Sequence, residues 1–185
     1  MIILASNSVR RIELLKDAGV DFKVIPSNVV EVIDEKLKPE DNAMNLAFLK
    51  ANDVFNRNPG DLVIAADTIV TLNNRIFGKP KDEEEAFEML KTLSNKRHEV
   101  ITGVAILYRD RKDVFYSKST VKFKDLTDEQ INDYIATKEP FGKAGAYAIQ
   151  GIGKSIVDTF EGDFFTIVGL PLKDVLKRIK EIEAI

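Results

Sequence analysis

Apolar positions change period several times along the chain, and each change predicts an element. Met1 to Ala5 is a short apolar run, read as a strand. Beyond Ser6-Asn7-Ser8, apolar residues recur at Ile12, Leu14, Leu15 and Ala18, a helical stripe that Ser8 would cap and Gly19 would stop. Phe22 to Ile25 predicts a second strand ending at Pro26, with Glu31 in the loop that follows. Ala43, Leu46, Ala47, Val54 and Phe55 predict the buried side of a helix from about Glu40 to Asn56, with Lys50 on another side. Asn58-Pro59-Gly60 ends it. Leu62 to Ala66 is apolar throughout, as in a strand buried on both faces, and it stops at Asp67-Thr68, which puts Asp67 at a strand's carboxyl end. Ile69–Leu72 and Arg75–Phe77 flank Asn73-Asn74, the pattern of a two-residue hairpin that leads into Gly78-Lys79-Pro80.

The second half reads similarly. Asp82 to Leu93 is a helix with Glu83, Glu84 and Glu85 in its first turn, where they complement the helix dipole. His98–Arg109 and Val114–Lys124 are long strands around Asp110-Arg111-Lys112-Asp113, and His98 is most simply a structural or a surface residue. Thr127 and Gln130 form a capping box that opens a helix to about Ala136. Glu139 to Lys143 is a loop, and Ala144 to Gly151 is rich in small residues that suit close backbone approach. Gly153-Lys154-Ser155 resembles the end of a P-loop but lacks glycine at Ala148 and a strand-to-helix context. Phe164 to Val168 is expected to be a last strand, and Pro171 opens a closing helix over Lys173 to Ile182. The fold class expected is α/β, as one domain over residues 1–185.

Composition narrows the chemistry. Apolar residues are 44% of the chain and charged residues 31%, with both signs interspersed and a net charge of -3, so a nucleic acid polymer or an anionic membrane is not the expected partner. There is no apolar run of about 18 residues and no signal-peptide pattern, so a cytoplasmic location is expected. With no cysteine and a single histidine, thiol nucleophiles, disulfides and multi-histidine zinc sites are excluded. The chemistry must rest on carboxylates, lysines, arginines, hydroxyls and amides.

Three residues do not suit their local context. Asp67 closes an apolar run at the sheet edge where open α/β sheets bind ligands, although a strand-end aspartate can equally cap a turn. Arg10 and Arg11 fall in the first turn of a helix, where the dipole disfavours cations. With Ser6, Ser8 and the unpaired backbone N–H groups they would make a phosphate site; the alternative is two solvated arginines.

These motifs together carry a resemblance. Leu4-Ala5-Ser6-Asn7-Ser8-Val9-Arg10-Arg11, Leu49-Lys50-Ala51, Ala66-Asp67-Thr68, Gly78-Lys79-Pro80, Lys143-Ala144-Gly145-Ala146-Tyr147, Ile149-Gln150-Gly151 and Val168-Gly169-Leu170-Pro171 are similar to the Maf family of nucleoside triphosphate pyrophosphatases, the septum formation inhibitor homologues. The resemblance implies a Maf/ITPase-like α/β fold, a mixed central β-sheet flanked by helices with two lobes around a cleft, together with a divalent metal and hydrolysis of a nucleoside triphosphate to its monophosphate and pyrophosphate. It places Asp67 on the family's proton acceptor. It also implies a part in keeping modified nucleotides out of nucleic acid and in cell division arrest. The chain departs from the usual pattern at Val9, where proline is common, and at Gly142, where aspartate is common.

On this reading Arg10, Arg11, Lys50, Lys79 and Lys143, with Ser6 and Ser8, cradle the phosphates. Glu31 and Asp67 are the expected ligands of Mg²⁺ or Mn²⁺, and Asp67 also orients or deprotonates the attacking water. Arg10, Thr68 and Gln150 match the positions that the family's dTTP- and UTP-directed branch associates with base choice, and a side-chain amide and a hydroxyl can pair with a pyrimidine edge. The expected substrates are therefore dTTP, UTP and modified pyrimidine analogues. A homodimer is left open. Two rivals remain: a nucleotide-binding regulator of septum formation without turnover, and a haloacid dehalogenase-type phosphatase, whose second aspartate would have to stand at Ile69.

Overall fold

The computed structural model describes residues 1–184. The last residue of the predicted domain, 185, lies outside the described residues. Among the described residues seven strands form one mixed sheet: β1 (Ile2–Leu4), β2 (Phe22–Val24), β3 (Leu62–Leu72), β4 (Arg75–Phe77), β5 (Arg97–Tyr108), β6 (Arg111–Phe123) and β7 (Val157–Glu161). Their order is β2-β1-β3-β5-β6-β7, with β4 paired on β3. The helices are α1 (Val9–Asp17), α2 (Pro39–Arg57), α3 (Glu83–Leu93), α4 (Asp128–Ala136), α5 (Phe164–Val168) and α6 (Leu172–Glu183). The α/β class is as the hydrophobic pattern predicts, and the mixed sheet is as the resemblance implies.

The chain divides into two compact units, with β3, β5 and β6 each contributing to both. The first takes Met1–Asp67, Thr102–Ser117 and the stretch from Gly169. Within it β1 pairs in parallel with β2 and with β3, in registers that set Ile3 beside Lys23 and Val63. Its core joins Ile3 and Ala5, Ala47, Ala51 and Val54 of α2, Val63 and Ala65 of β3, and Ala105 and Leu107 of β5. Small residues let α2 approach the sheet closely. A Cβ at Gly103 would stand 2.3 Å from the Ala43 carbonyl carbon, so β5 has no room for a side chain there.

The second unit takes Thr68–Ile101 and Lys118–Val168. Its hairpin β3–β4 turns on Asn73 (φ 50°) and Asn74 (φ 64°), the left-handed pair that a two-residue hairpin requires. Thr127 and Gln130 make the capping box of α4. His98 of β5 is buried, with Nε2 2.7 Å from the Tyr147 hydroxyl, and its ring meets Phe123 and Tyr147 edge-on. Burial pulls the His98 pKa down to about 4.

Three expectations need correction. Phe164–Val168 is the short helix α5, because the Asp163 carboxylate accepts from the Thr166 backbone N–H and hydroxyl and so starts a helical turn. The last strand is instead β7, an edge strand paired antiparallel to β6. The turn between β5 and β6 is tighter than predicted, at Arg109 (φ 53°) and Asp110. Asp67 stands in the middle of β3, since the strand continues to Leu72 and pairs there with β4.

Candidate functional site

In the first unit, seven of the predicted site residues come from four segments. Ser8 caps α1, its hydroxyl accepting from the Arg11 backbone N–H at 3.4 Å. Ser6 Oγ accepts from the Ser8 N–H at 3.1 Å and from Arg11 Nη1 at 3.4 Å, and Arg11 Nε donates to the Gly169 carbonyl at 2.7 Å. Arg11 is thus fastened to the loop before the helix and to the C-terminal segment. No acidic residue stands in the first turn of α1, so the helix start keeps its positive character. Desolvation lowers the Arg11 pKa, while the nearby Asp67 and Glu31 carboxylates act to raise it, which places both within its electrostatic reach. At about 10 the group stays charged at neutral pH.

Glu31, Lys50 and Asp67 meet. The Lys50 ammonium lies 2.7 Å from Asp67 Oδ1 and 2.8 Å from Glu31 Oε1. Lys50 falls on the buried stripe of α2 with Ala43, Leu46, Ala47 and Val54, not on another face. The 19-residue helix carries its side chain to mid-β3, where an unpaired Asp67 would be costly to bury. The carboxylate and the ammonium each make the other's burial tolerable.

This donor set fits a divalent cation in one way. Among the described residues no group of three or more His, Asp or Glu side chains is gathered closely enough to hold a metal ion. Glu31 and Asp67, however, already converge on one cationic nitrogen. Mg²⁺ is often held by one or two carboxylates together with substrate phosphates and water, and Mn²⁺ favours similar oxygen donors.

In the second unit the Gly78-Lys79-Pro80 loop and the segment from Lys143 lie side by side, because the Gly145 N–H donates to the Gly78 carbonyl at 3.1 Å. Lys79 is exposed, and Lys143 Nζ donates to the Glu139 carbonyl at 2.8 Å. Gly145 (φ 70°) presses on Val70, where a Cβ would come within 3.0 Å of both methyl groups. Thr68 is half-buried on β3, and Gln150 is exposed just before a 3-10 helix over Gly151–Ile156. Gly142, where aspartate is usual in the family, has φ 78°, so glycine there relieves strain that a side chain would add. Val9 is 65% exposed in the first turn of α1.

The sequence reading passes over two further residues of this unit, Tyr134 and Glu139. Together they bind the backbone on both sides of Gln150. No local spacing announces them.

Among known proteins, the family model for Maf-like proteins matches residues 1–182. The chain is 54% identical over 177 residues to a dTTP/UTP pyrophosphatase of Caldicellulosiruptor saccharolyticus, covering 92% of this chain and 89% of that one. It is 47% identical over 182 residues to a dTTP/UTP pyrophosphatase of Bacillus cereus, covering 98% and 95%. A solved structure, the Staphylococcus aureus Ham1 protein, is similar with a TM-score of 0.49 and 20% identity over 84% of this chain and 79% of that one. Among the described residues no helix is long and apolar enough to cross a membrane. With the family model matched almost end to end and relatives near half identical over nearly the full length, this chain belongs to the Maf-like protein family.

Proposed function

We propose that this protein is a nucleoside triphosphate pyrophosphatase that hydrolyses dTTP and UTP, and base-modified pyrimidine analogues, to the nucleoside monophosphate and pyrophosphate. The observation that carries the reading is the meeting of the Glu31 and Asp67 carboxylates on Lys50, within the electrostatic reach of Arg11 at the start of α1. Its relatives' names as dTTP/UTP pyrophosphatases agree with it.

The roles follow from the chemistry of each group. Ser6, Ser8, Arg10 and Arg11 offer hydroxyls, backbone N–H groups and guanidinium to phosphate oxygens at a helix start. Lys79 and Lys143 add point charges that stabilise pyrophosphate as it leaves. Glu31 and Asp67 would hold Mg²⁺ or Mn²⁺, which when bound neutralises phosphate charge and makes a coordinated water more acidic. Asp67 takes a proton from the attacking water as its oxygen bonds to the α-phosphorus, and the bond from that phosphorus to the bridging oxygen breaks. Lys50 holds both carboxylates on one nitrogen and so keeps them aimed. Thr68 and Gln150 meet the pyrimidine edge, with which a hydroxyl and a side-chain amide can pair, and a purine does not offer them that pairing.

The test is release of pyrophosphate by purified protein with Mg²⁺ or Mn²⁺ from dTTP, UTP, CTP, ATP, GTP and 7-methyl-GTP. Pyrophosphate is expected, with dTTP and UTP turned over fastest. Release of inorganic phosphate would restore the phosphatase reading, and binding without turnover would restore the regulator. Preference for ATP or 7-methyl-GTP over dTTP would overturn the base assignment.

A further inference from the structure

The residue proposed to read the base is itself exposed and sits at a bend. Gln150 precedes Gly151 (φ 64°), and its side chain makes no capping bond to the 3-10 helix that follows. A glutamine so placed has several free torsions, and reading a base edge requires that its backbone at least be fixed. The fixing comes from one carboxylate. Glu139 Oε2 accepts from the Ile152 N–H at 3.1 Å, and Oε1 accepts from the Gly153 N–H at 2.7 Å. The same Oε1 accepts from the Tyr134 hydroxyl at 2.8 Å, and that hydroxyl accepts from the Ala148 N–H at 3.2 Å. The phenol and carboxylate therefore hold the chain two residues before Gln150 and two and three residues after it. Glu139's own carbonyl receives Lys143 Nζ, so a single residue joins the base-reading segment to a phosphate-binding lysine.

The surroundings are shaped for this arrangement. A Cβ at Gly153 would stand 2.0 Å from the Ala148 carbonyl oxygen, 2.6 Å from the Tyr134 hydroxyl and 2.9 Å from Glu139 Oε1. One at Gly151 would come within 2.9 Å of Glu139 Oε2. The glycines at these positions let the backbone N–H groups close on the carboxylate. Tyr134 is buried at 3% exposure on α4, whose capping box fixes its start, so the clamp is anchored on a rigid element.

We infer that Glu139, braced by Tyr134, is a positioning residue for base selectivity: it acts through the backbone around Gln150 and touches no substrate atom. The inference rests on the proposed role of Gln150 in reading the pyrimidine. Glu139→Gln keeps size and shape but turns one acceptor into an NH₂ group facing a backbone N–H, so the clamp loses a bond and gains a donor–donor clash. Tyr134→Phe is the milder cut, removing only the hydroxyl that links Ala148 to the carboxylate.

The experiment compares kcat/KM for dTTP with that for GTP in wild type, Glu139→Gln, Tyr134→Phe, Gln150→Ala and the double variant Glu139→Gln/Gln150→Ala, with circular dichroism to check folding. The dTTP-to-GTP ratio is expected to fall about tenfold or more in Glu139→Gln and less in Tyr134→Phe, mostly through a raised KM for dTTP, as loss of uniform binding requires. In the double variant the ratio is expected to equal that of Gln150→Ala alone, because the two residues act in series. A fold defect without positioning would lower activity toward both nucleotides alike and leave the ratio and KM unchanged. If Gln150→Ala shifts the ratio and the folded clamp variants do not, the positioning role is overturned while the base-reading role stands. If Glu139→Gln does not fold, Tyr134→Phe decides on the same criterion. If Gln150→Ala leaves the ratio unchanged, or wild type shows no preference for dTTP, the underlying reading fails and this one fails with it.

Discussion

Replacing Lys50 with methionine tests whether the buried ammonium is what makes Asp67 tolerable inside the sheet. Methionine retains most of the stem's volume, so the loss is chiefly one of charge. The two ion pairs differ in surroundings: the Lys50 and Asp67 side chains are only 10% and 8% exposed, whereas Glu31 is 40% exposed. Breaking a buried pair by removing one partner costs about 3–5 kcal/mol, and an exposed one contributes at most about 1 kcal/mol. Glu31 can turn to water when its partner goes, but Asp67 cannot. A loss of about 3 kcal/mol is expected, which in a chain of this size lowers Tm by roughly 6–12 °C. The assay is thermal melting with EDTA present, repeated in the double variant Lys50→Met/Asp67→Asn. With neither charge left to bury, the double variant should return to within about 1 kcal/mol of wild type. Added Mn²⁺ should raise the melting temperature of Lys50→Met more than that of wild type, since a divalent ion can take over the lost charge. A single variant that melts within about 2 °C of wild type, or a double variant no more stable than the single, would show that something other than Lys50 supports the buried carboxylate.

Three further outcomes are expected. Asp67→Asn should lower kcat by roughly 10²–10⁴ while the protein stays folded, because Glu31 still holds Lys50; kcat within tenfold of wild type removes Asp67 from proton transfer. Arg10→Ala and Lys79→Ala should each lower kcat/KM for dTTP by roughly 10- to 100-fold, the value of about 1.5–3 kcal/mol for a hydrogen bond to a charged group, with stability changed by no more than about 0.5 kcal/mol. Unchanged kinetics in both would return them to the solvated surface. His98 should make the protein acid-sensitive: its folded pKa of about 4 lies below the unfolded 6.5, so the unfolded chain binds the extra proton, and stability falls as pH drops from about 6.5 to about 4 and levels off below. The fall is on the order of 3 kcal/mol, and urea denaturation of His98→Gln across that range should show a flatter profile than wild type.

Much of the fold was legible because its signals are local. Ser8 and Thr127 cap the helices that their positions predict, each side chain accepting from a backbone N–H three residues on. Asn73-Asn74 announced its hairpin because few other residues accept the left-handed region twice in succession. The failures came where a distant partner decides. Phe164–Val168 has the composition of a strand, but Asp163 and Thr166 start a helix before any ladder can form. Val157–Glu161 has no apolar alternation to betray it, since Asp158 to Glu161 are exposed; it is a strand because β6 offers it an edge.

The site was legible to the extent that its residues break local rules. Arginines at a helix start and an aspartate in an apolar run are each unfavourable where they stand, and such misfits are where a functional site is sought. Lys50 breaks a rule too, as a lysine on the buried stripe of α2, but its sequence spacing alone did not say which way the helix faces. Its pairing with Asp67, 17 residues on, depends on the packing of helix against sheet, which periodicity cannot supply. Glu139 marks the other limit. A carboxylate before a proline in a loop breaks no rule, and its partners lie 13 and 14 residues on, at N–H groups whose availability depends on Gly151 and Gly153 having no side chains. A residue that binds substrate must often be locally misplaced, because the substrate supplies its partner. One that positions such a residue finds its partners within the fold, so it can be locally ordinary and still act on selectivity.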